Sequence, residues 1–254
     1  MTTTAATNGR YRFSHVARME WIKLRSLRST WWVLAVTVAG AVGIAVAVGV
    51  NTEDAAADLT NNALAGISIG LLLIGVLGVL MMTGEHSSGM IRATLTAIPN
   101  RPLVLAAKAA VFAVVALAVG EAGAFIAFFA GGAALPDRIP APAFGQPGVL
   151  RAVMMTGAGF CLVGLIGLGL GAIIRHTPAA IAVLVVGVYI VSQIVGAAAH
   201  AVMGYVPISI VANSLSTTQP LPGMLPPWTG LGMLCLYAAV TLGVGGWLLA
   251  RRDA

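Results

Sequence analysis

The residues best suited to binding a partner lie in one short polar segment, residues 84–101 (GEHSSGMIRATLTAIPNR), between two long apolar stretches. Residues at spacings of three and four predict a short surface helix in this segment, formed by Met90, Ile91, Thr94, Leu95 and Ile98. Ser87 or Ser88 is expected to cap its start, and Pro99 to mark its end. Because a plain connector between helices commonly needs only about two to eight residues, docking of another protein is favoured over a loop helix that merely rests on the membrane.

Glu85 stands at the inner end of the apolar stretch that precedes this segment. A carboxylate at the boundary of a membrane is costly unless it is paired or in contact with water. Arg92, Arg101 or a basic residue of another protein could pair with it, and a hydrated carboxylate at the boundary is the alternative.

Glu121 lies deeper, thirteen residues after Lys108, which is about 20 Å along a helix. An intramembrane carboxylate is a functional candidate: it can line a transport pathway, attract a cationic substrate, or bond a polar group such as Gln193 or Arg151 on another span. Gln193, in a later apolar stretch, admits the same interpretations.

The sequence offers little that would support catalysis or metal binding. Residues 66–70 (GISIG) match the G-x-S-x-G nucleophile pattern, but that chemistry needs a strand–turn–helix elbow and this stretch predicts a membrane helix. No G-x-x-x-x-G-K-[ST] loop is present, so any ATP hydrolysis requires a separate subunit. The four histidines are too scattered for a metal site, and Cys161 and Cys235 are interpreted as small buried apolar residues.

The elements that must position these residues are membrane spans. Apolar residues make up 59% of the 254 positions and charged residues only 9%, whereas soluble domains carry about 25% charged residues. The sequence therefore predicts an all-α polytopic membrane protein. Six spans of suitable length are expected, at residues 30–50, 63–83, 103–132, 150–174, 179–203 and 228–250.

The distribution of Lys and Arg predicts the orientation. With the N-terminus inside, twelve of the fourteen basic residues lie on the cytoplasmic side, and only Arg138 and Arg151 lie outside. Both termini and the segment 84–101 are then cytoplasmic. The net charge of +6 serves topology and lipid headgroups, so nucleic acid is not an expected partner.

The chain divides into two regions. Residues 1–29 form a cytoplasmic N-terminus and residues 30–254 the transmembrane domain. Within residues 13–29 an apolar face is interrupted by Glu20, which predicts an amphipathic helix in the membrane interface: either a basic anchor or an elbow helix that also braces a partner. Its apolar face comprises Phe13, Val16, Ala17, Leu24 and Leu27.

Two weaker patterns bear on helix packing and on the last loop, residues 204–227. Close helix packing or dimer contact is predicted by Gly66 and Gly70, by Gly167 and Gly171, and by the series Gly123, Ala127 and Gly131. Residues 208–215, in the outer segment 204–227, are apolar enough to enter the interface, where backbone must be helical or buried in protein; a mobile loop is the alternative.

The pattern G-E-x-x-S-G-x-x-R-x-x-L-x-x-x-P-x-R over residues 84–101, followed by Lys108, resembles the cytoplasmic loop of ABC-2-type transporter permeases, the membrane subunits of bacterial ABC exporters. The end of the chain, with Trp228-Thr229-Gly230, Tyr237 and Gly246-Trp247, is similar to actinobacterial members. The resemblance implies a coupling helix between spans two and three that seats in a nucleotide-binding subunit, which would bind the ATP and Mg²⁺. The coupling residues it implies are Glu85, Ser88, Gly89, Arg92, Leu95 and Arg101.

Three classes of function follow. The favoured one is a non-enzymatic permease in the cell membrane that dimerises, as a homodimer or with a second permease, receives an ABC ATPase on each copy, and exports a hydrophobic or amphiphilic compound such as a drug or antibiotic. The alternative is a stand-alone secondary transporter coupled to protons through Glu121. An intramembrane enzyme is disfavoured because no cluster of catalytic side chains is visible.

Overall fold

The computed structural model describes residues 12–54, 58–190, 203–215 and 223–252. We number the α-helices of these residues in chain order. They are α1 (Phe13–Ser26), α2 (Arg28–Val50), α3 (Leu59–Ala63), α4 (Ile67–Ser87), α5 (Met90–Ala97), α6 (Arg101–Ala133), α7 (Val149–Ile174), α8 (Thr177–Val185), α9 (Pro207–Leu215) and α10 (Pro227–Arg251). A π-helical turn, Val186–Ile190, continues α8.

Five of the described helices, α2, α4, α6, α7 and α10, are long and apolar enough to cross a membrane. The chain is therefore an all-helical, multi-pass membrane protein in its architecture. Span five of the sequence prediction, residues 179–203, starts within α8 and the π-helical turn, but residues 191–202 lie outside the described part of the chain. The five other predicted spans correspond to the five membrane-length helices.

The second of these spans differs most from its prediction. Residues 63–83 were expected, whereas α4 begins at Ile67 and continues to Ser87. Asp58 starts a separate short helix, α3, because its carboxylate accepts a hydrogen bond from the Asn61 N–H at 3.1 Å. At the other end the Ser87 and Ser88 hydroxyls donate to the Gly84 carbonyl, at 3.1 and 2.8 Å, so they close α4 rather than cap α5. The predicted serine cap is therefore wrong.

Helices α4 and α7 make the most extensive helix pair of the bundle, and glycines allow their close approach. A methyl group at Gly78 would overlap the Gly164 carbonyl oxygen, and one at Gly167 would overlap the carbonyl of Gly75. Backbones in such contact gain dispersion energy that larger side chains would prevent. The predicted glycine at 167 thus serves packing within this chain.

Three more of the predicted glycines also allow close contact between helices. Gly66 lies against the Ala41 backbone of α2, and Gly131 of α6 lies against Ala63 of α3. Gly70 accommodates the ring of Phe160. Each of these contacts joins two helices of one chain, so these glycines serve close packing within the chain.

The amphipathic N-terminal segment is helical, as predicted, but its buried face is narrower. Val16, Glu20 and Leu24 are buried on α1, spaced four residues apart, whereas Phe13 and Leu27 are exposed. Glu20 therefore lies in the middle of the buried stripe, facing α6, on which α1 packs.

Helix α9 lies within the segment 204–227 and packs on α7 and α10. The Val211 side chain of α9 packs against Gly159 of α7, and the Ile210 side chain packs against Gly230 of α10. Helix and burial together satisfy the backbone, as predicted for residues 208–215. The preceding loop is tied to α10, because the Tyr237 hydroxyl donates to the Tyr205 carbonyl at 2.9 Å.

Helix α10 presents a largely exposed apolar face, with Leu236, Val240 and Trp247 each about half exposed. Cys235 is exposed on this helix and Cys161 is partly buried on α7, and both are free thiols. The prediction that both cysteines are buried is thus wrong for Cys235 in the single chain.

We expect Gly78→Ala to destabilise the bundle, because the added methyl group meets rigid backbone of α7 and neither helix can move without breaking the contact. The expected loss is about 1–3 kcal/mol, measured by unfolding of the purified protein in mild detergent. The matched control is Gly243→Ala on α10, where nothing lies within 4 Å of the added carbon. Equal stability of the two variants would contradict the proposed α4–α7 packing.

Candidate functional site

Four charged side chains from three helices meet at one end of the bundle. Glu20 and Lys23 come from α1, and Glu85 comes from the last turn of α4. Lys108 comes from α6, seven residues after the helix begins. We call this group the charge ring, because each carboxylate contacts both ammonium groups and each ammonium group contacts both carboxylates.

The contacts of the charge ring are short. Lys23 Nζ lies 3.1 Å from Glu20 Oε1 and 2.9 Å from Glu85 Oε1. Lys108 Nζ lies 2.9 Å from Glu85 Oε1 and also donates to Glu20 Oε2. Glu20 and Lys23 are one helical turn apart, which places both on the side of α1 that faces the bundle.

Three of these four side chains are buried, which makes their contacts important for the stability of the bundle. Glu20 is 0% exposed, Lys108 2% and Glu85 6%. A buried charge without a partner costs several kcal/mol, whereas two positive and two negative groups in mutual contact leave no net charge to solvate. The ring therefore fixes the positions of α1, α4 and α6 relative to one another.

Lys23 is the most exposed member of the charge ring. The pKa of its ammonium group shows whether burial or the neighbouring carboxylates have the larger effect. Burial alone lowers that pKa, but the hydrogen bond to Glu85 and the charges of Glu20 and Glu85 outweigh it, so the pKa is raised above its ordinary value. Lys23 accordingly remains protonated at every physiological pH.

The short helix α5 is attached to this ring. Lys23 Nζ donates a hydrogen bond to Thr94 Oγ1 of α5 at 3.1 Å. The buried side of α5 also joins an apolar cluster with α1 and the start of α6, formed by Val16, Ile91, Leu95, Ile98, Val104 and Ala107. The predicted helix in residues 84–101 thus exists, and α1 and α6 hold it in place.

The opposite face of α5 is open. Met90, Arg92, Ala93 and Thr96 are exposed, and the Arg92 side chain forms no hydrogen bond or ion pair with the residues described. Ser88 and Gly89 are exposed in the turn before α5, where Gly89 has a φ of 71°. That left-handed conformation favours glycine and lets α5 turn away from α4.

Five of the six predicted coupling residues separate into two groups. Ser88, Gly89 and Arg92 lie on the open surface, whereas Leu95 is in the apolar cluster and Glu85 in the charge ring. The expected partners of Glu85, Arg92 and Arg101, are wrong: Lys23 and Lys108 bind it instead. The alternative of a hydrated carboxylate is also wrong, since Glu85 is buried.

Arg101, the first residue of α6, binds the end of α10 rather than an open surface. Its Nη1 donates to the carbonyls of Leu249 and Arg252, at 3.0 and 2.6 Å. These are terminal carbonyls that α10 cannot satisfy itself, so the guanidinium acts as a cap for that helix. Arg252 in turn donates to the Ile173 carbonyl at 3.2 Å, which ties the ends of α7 and α10 together.

Glu121 lies on α6 against α7, in the space left by a glycine: a methyl group at Gly157 would overlap its carboxylate. Its Oε2 atom is buried and has no hydrogen-bond partner among the residues that the structure describes. Gln193, the other predicted intramembrane polar residue, lies outside the described residues.

Lys23 and Lys108 were not identified as site residues from the sequence. The available signals were the Glu20–Lys23 spacing on one helix and a lysine seven residues inside an apolar helix that starts at Arg101. The described ranges contain no group of three or more His, Cys, Asp or Glu side chains that could hold a metal ion.

We expect Lys108→Met to lower the free energy of unfolding by about 3–5 kcal/mol, because it leaves buried carboxylate charge without full compensation. The double variant Glu20→Gln/Lys108→Met should cost less than the sum of the single variants, which is the mark of a direct pair. Thermal unfolding in detergent measures both effects. Arg18→Met, an exposed position on α1, is the control and should leave stability unchanged; strictly additive losses would contradict the ring.

Comparison with known proteins leaves the family of this chain open. The sequence matches no protein-family model and no curated protein. The functional conclusion therefore rests on the geometry described above and on the pattern of residues 84–101.

Proposed function

We propose that this chain is the membrane-spanning permease subunit of an ABC exporter in the cell membrane. A separate nucleotide-binding subunit would hydrolyse the ATP with Mg²⁺, and two permease copies would form the pathway. The observation that carries the proposal is the arrangement of α5: one face is open to a partner and the other is joined to three helices through Thr94, the apolar cluster and the charge ring.

This arrangement suits the transmission of force. A partner that pushed on α5 would act on Lys23 through Thr94, and the ring would pass the displacement to α1, α4 and α6 together. A closely packed bundle responds to such a displacement by changing between discrete arrangements rather than by continuous deformation. ATP-driven movement of the partner would thereby alternate the access of the pathway.

The positive-inside distribution supports the orientation that this mechanism needs. Helices α1 and α5 and the end of α10 lie at the end of the bundle that also carries Arg25, Arg92, Arg101, Arg251 and Arg252. We place this end in the cytoplasm, with both termini, and α9 on the outer side. The apolar spans suit a hydrophobic or amphiphilic cargo.

We expect Arg92→Glu to weaken capture of the ATPase and reduce substrate-stimulated ATP hydrolysis at least tenfold, without changing the thermal stability of the permease. Arg92 is exposed on the open face of α5, so its replacement removes a contact with the partner and none within the bundle. Arg138→Glu reverses a charge that is also exposed, at the other end of the bundle, and should leave both readouts at the original level.

Identification of the proteins that co-purify with the tagged chain in mild detergent tests the proposal directly. A stoichiometric soluble subunit with a phosphate-binding loop is the expected result. Recovery of the chain alone, also after gentle crosslinking, would overturn the proposal.

A stand-alone transporter coupled to protons is the second candidate, favoured by one observation: the buried Glu121 Oε2, which has no hydrogen-bond partner among the described residues. Such an atom could receive a proton during transport. Under this hypothesis, uptake into protein-containing vesicles follows an imposed pH gradient without ATP, and Glu121→Gln abolishes it. Transport that ignores the pH gradient and persists in Glu121→Gln would eliminate this candidate.

A further inference from the structure

Four arginines gather around the last turn of α10. Arg101 begins α6 and Arg175 directly follows α7, while Arg251 and its neighbour Arg252 lie at the end of α10. Arg175 Nη2 donates to the Leu248 carbonyl of this turn at 3.4 Å, in addition to the two carbonyls that Arg101 binds. We call these four residues the arginine cluster.

The described carboxylates do not balance the positive charge of the cluster. No ion pair joins Arg101, Arg251 or Arg252 to a carboxylate of the described residues. The sequence has eight acidic residues, of which two are matched by lysines in the charge ring and one is Glu121. Asp253 follows the cluster and lies outside the described residues. The remaining four lie at the opposite end of the bundle: Glu53, Asp54, Asp58 and Asp137.

A count of charges gives the size of the excess. The cluster carries four positive charges, because arginine stays protonated in proteins. The C-termini of α7 and α10 supply about half a negative charge each, and Asp253 supplies at most one, so about two positive charges remain. Burial and the like charges of Arg252 and Arg101 lower the pKa of the Arg175 guanidinium. A bound anion would relieve this repulsion.

The cluster also keeps hydrogen-bond donors that a ligand can reach. Arg251 and Arg252 are exposed, and Arg101 is partly exposed. Arg101 and Arg252 bind carbonyls only through Nη1, so their Nε and Nη2 atoms make no hydrogen bond with the described residues. A guanidinium holds its N–H donors in a planar fork that matches the oxygens of a phosphate. The cluster is therefore suited to bind a phosphate through several charge-assisted hydrogen bonds.

An exposed apolar stripe on α10 leads to this cluster. Its residues share one face of the helix with Arg251, at spacings of three and four: Leu236, Val240, Val244 and Trp247. From Val240 to Arg251 the stripe extends about 17 Å, close to half of the roughly 30 Å hydrocarbon core. Arg251 lies over the Trp247 ring, 4.5 Å from its centroid, and tryptophan is enriched at the membrane interface. The stripe thus offers an acyl chain the depth of one leaflet.

We propose that the arginine cluster binds the phosphate of an anionic phospholipid, with one acyl chain along the stripe of α10. Basic sites between the ends of membrane helices are known to bind such head groups. A zwitterionic phospholipid also brings an ammonium group, which the excess positive charge repels, so the site discriminates between the two classes of lipid. The inference does not depend on the exporter proposal, because all four arginines belong to one chain.

The test uses the full chain, purified and delipidated in mild detergent. The chain is incubated with phosphatidylglycerol and phosphatidylcholine that have identical acyl chains, and native mass spectrometry counts the lipid molecules that remain bound. We expect phosphatidylglycerol to be retained at least tenfold more than phosphatidylcholine. Equal retention of the two lipids would overturn the proposal.

A matched pair of charge reversals locates the site. Arg251→Glu should reduce the retention of phosphatidylglycerol at least tenfold with little change in thermal stability, since Arg251 is exposed and its guanidinium contacts the Trp247 ring rather than a carbonyl. Arg28→Glu, at the exposed first residue of α2, makes the same change in net charge and should reduce retention less than twofold. Equal losses in the two variants would indicate diffuse attraction to positive charge and contradict a site.

Two soluble anions distinguish a lipid site from a site for free phosphate. Inorganic phosphate and glycerol 3-phosphate, added in large excess, should leave phosphatidylglycerol bound, because neither reaches the stripe of α10. Displacement of the lipid by either anion would overturn the assignment to a lipid. None of these measurements needs an ATPase, so a failed partner search leaves the result interpretable.

Discussion

The neutralisation of four charges in a low-dielectric interior is the constraint on which this structure depends. Lys108 is nearly fully buried on α6, among mostly apolar residues. Its position is tolerable only because Glu20 and Glu85 arrive from two other helices. The register of α1 against α6, and of α6 against the end of α4, is thereby determined by electrostatics, while dispersion between glycine-rich surfaces determines the register of α4 against α7.

These two kinds of contact have different mechanical properties. Glycine contacts such as Gly75 with Gly167 are short-ranged, so a small displacement forfeits them and the α4–α7 pair behaves as one rigid body. Ion pairs fall off more gradually with distance and allow the partners to be exchanged. The bundle thus has a stiff centre and an adjustable end, and α5 is attached to the adjustable end.

The elements of the fold could be predicted from the sequence more fully than the site. Five membrane-length helices follow from apolar runs, and α5 follows from the spacing of Ile91, Leu95 and Ile98, because both signals are local. The ring is not local: Glu20 and Lys108 are 88 residues apart, and Glu85 and Lys23 are 62 apart. The sequence points to the nearby charges Arg92 and Arg101 as partners of Glu85. In the structure Lys23 of α1 and Lys108 of α6 take that role, because α1 packs on α6.

The length of α6 has a consequence for the membrane around the protein. Its 33 residues extend about 50 Å, whereas the hydrocarbon core is about 30 Å thick and the other spans have 19 to 26 residues. The excess must be accommodated by tilt, by projection beyond the lipid, or by local thickening of the bilayer, each at an energetic cost that depends on the thickness of the membrane. Since Lys108 is carried by this helix, a change of lipid chain length would alter the depth of the lysine and so place elastic stress from the bilayer directly on the ion pairs.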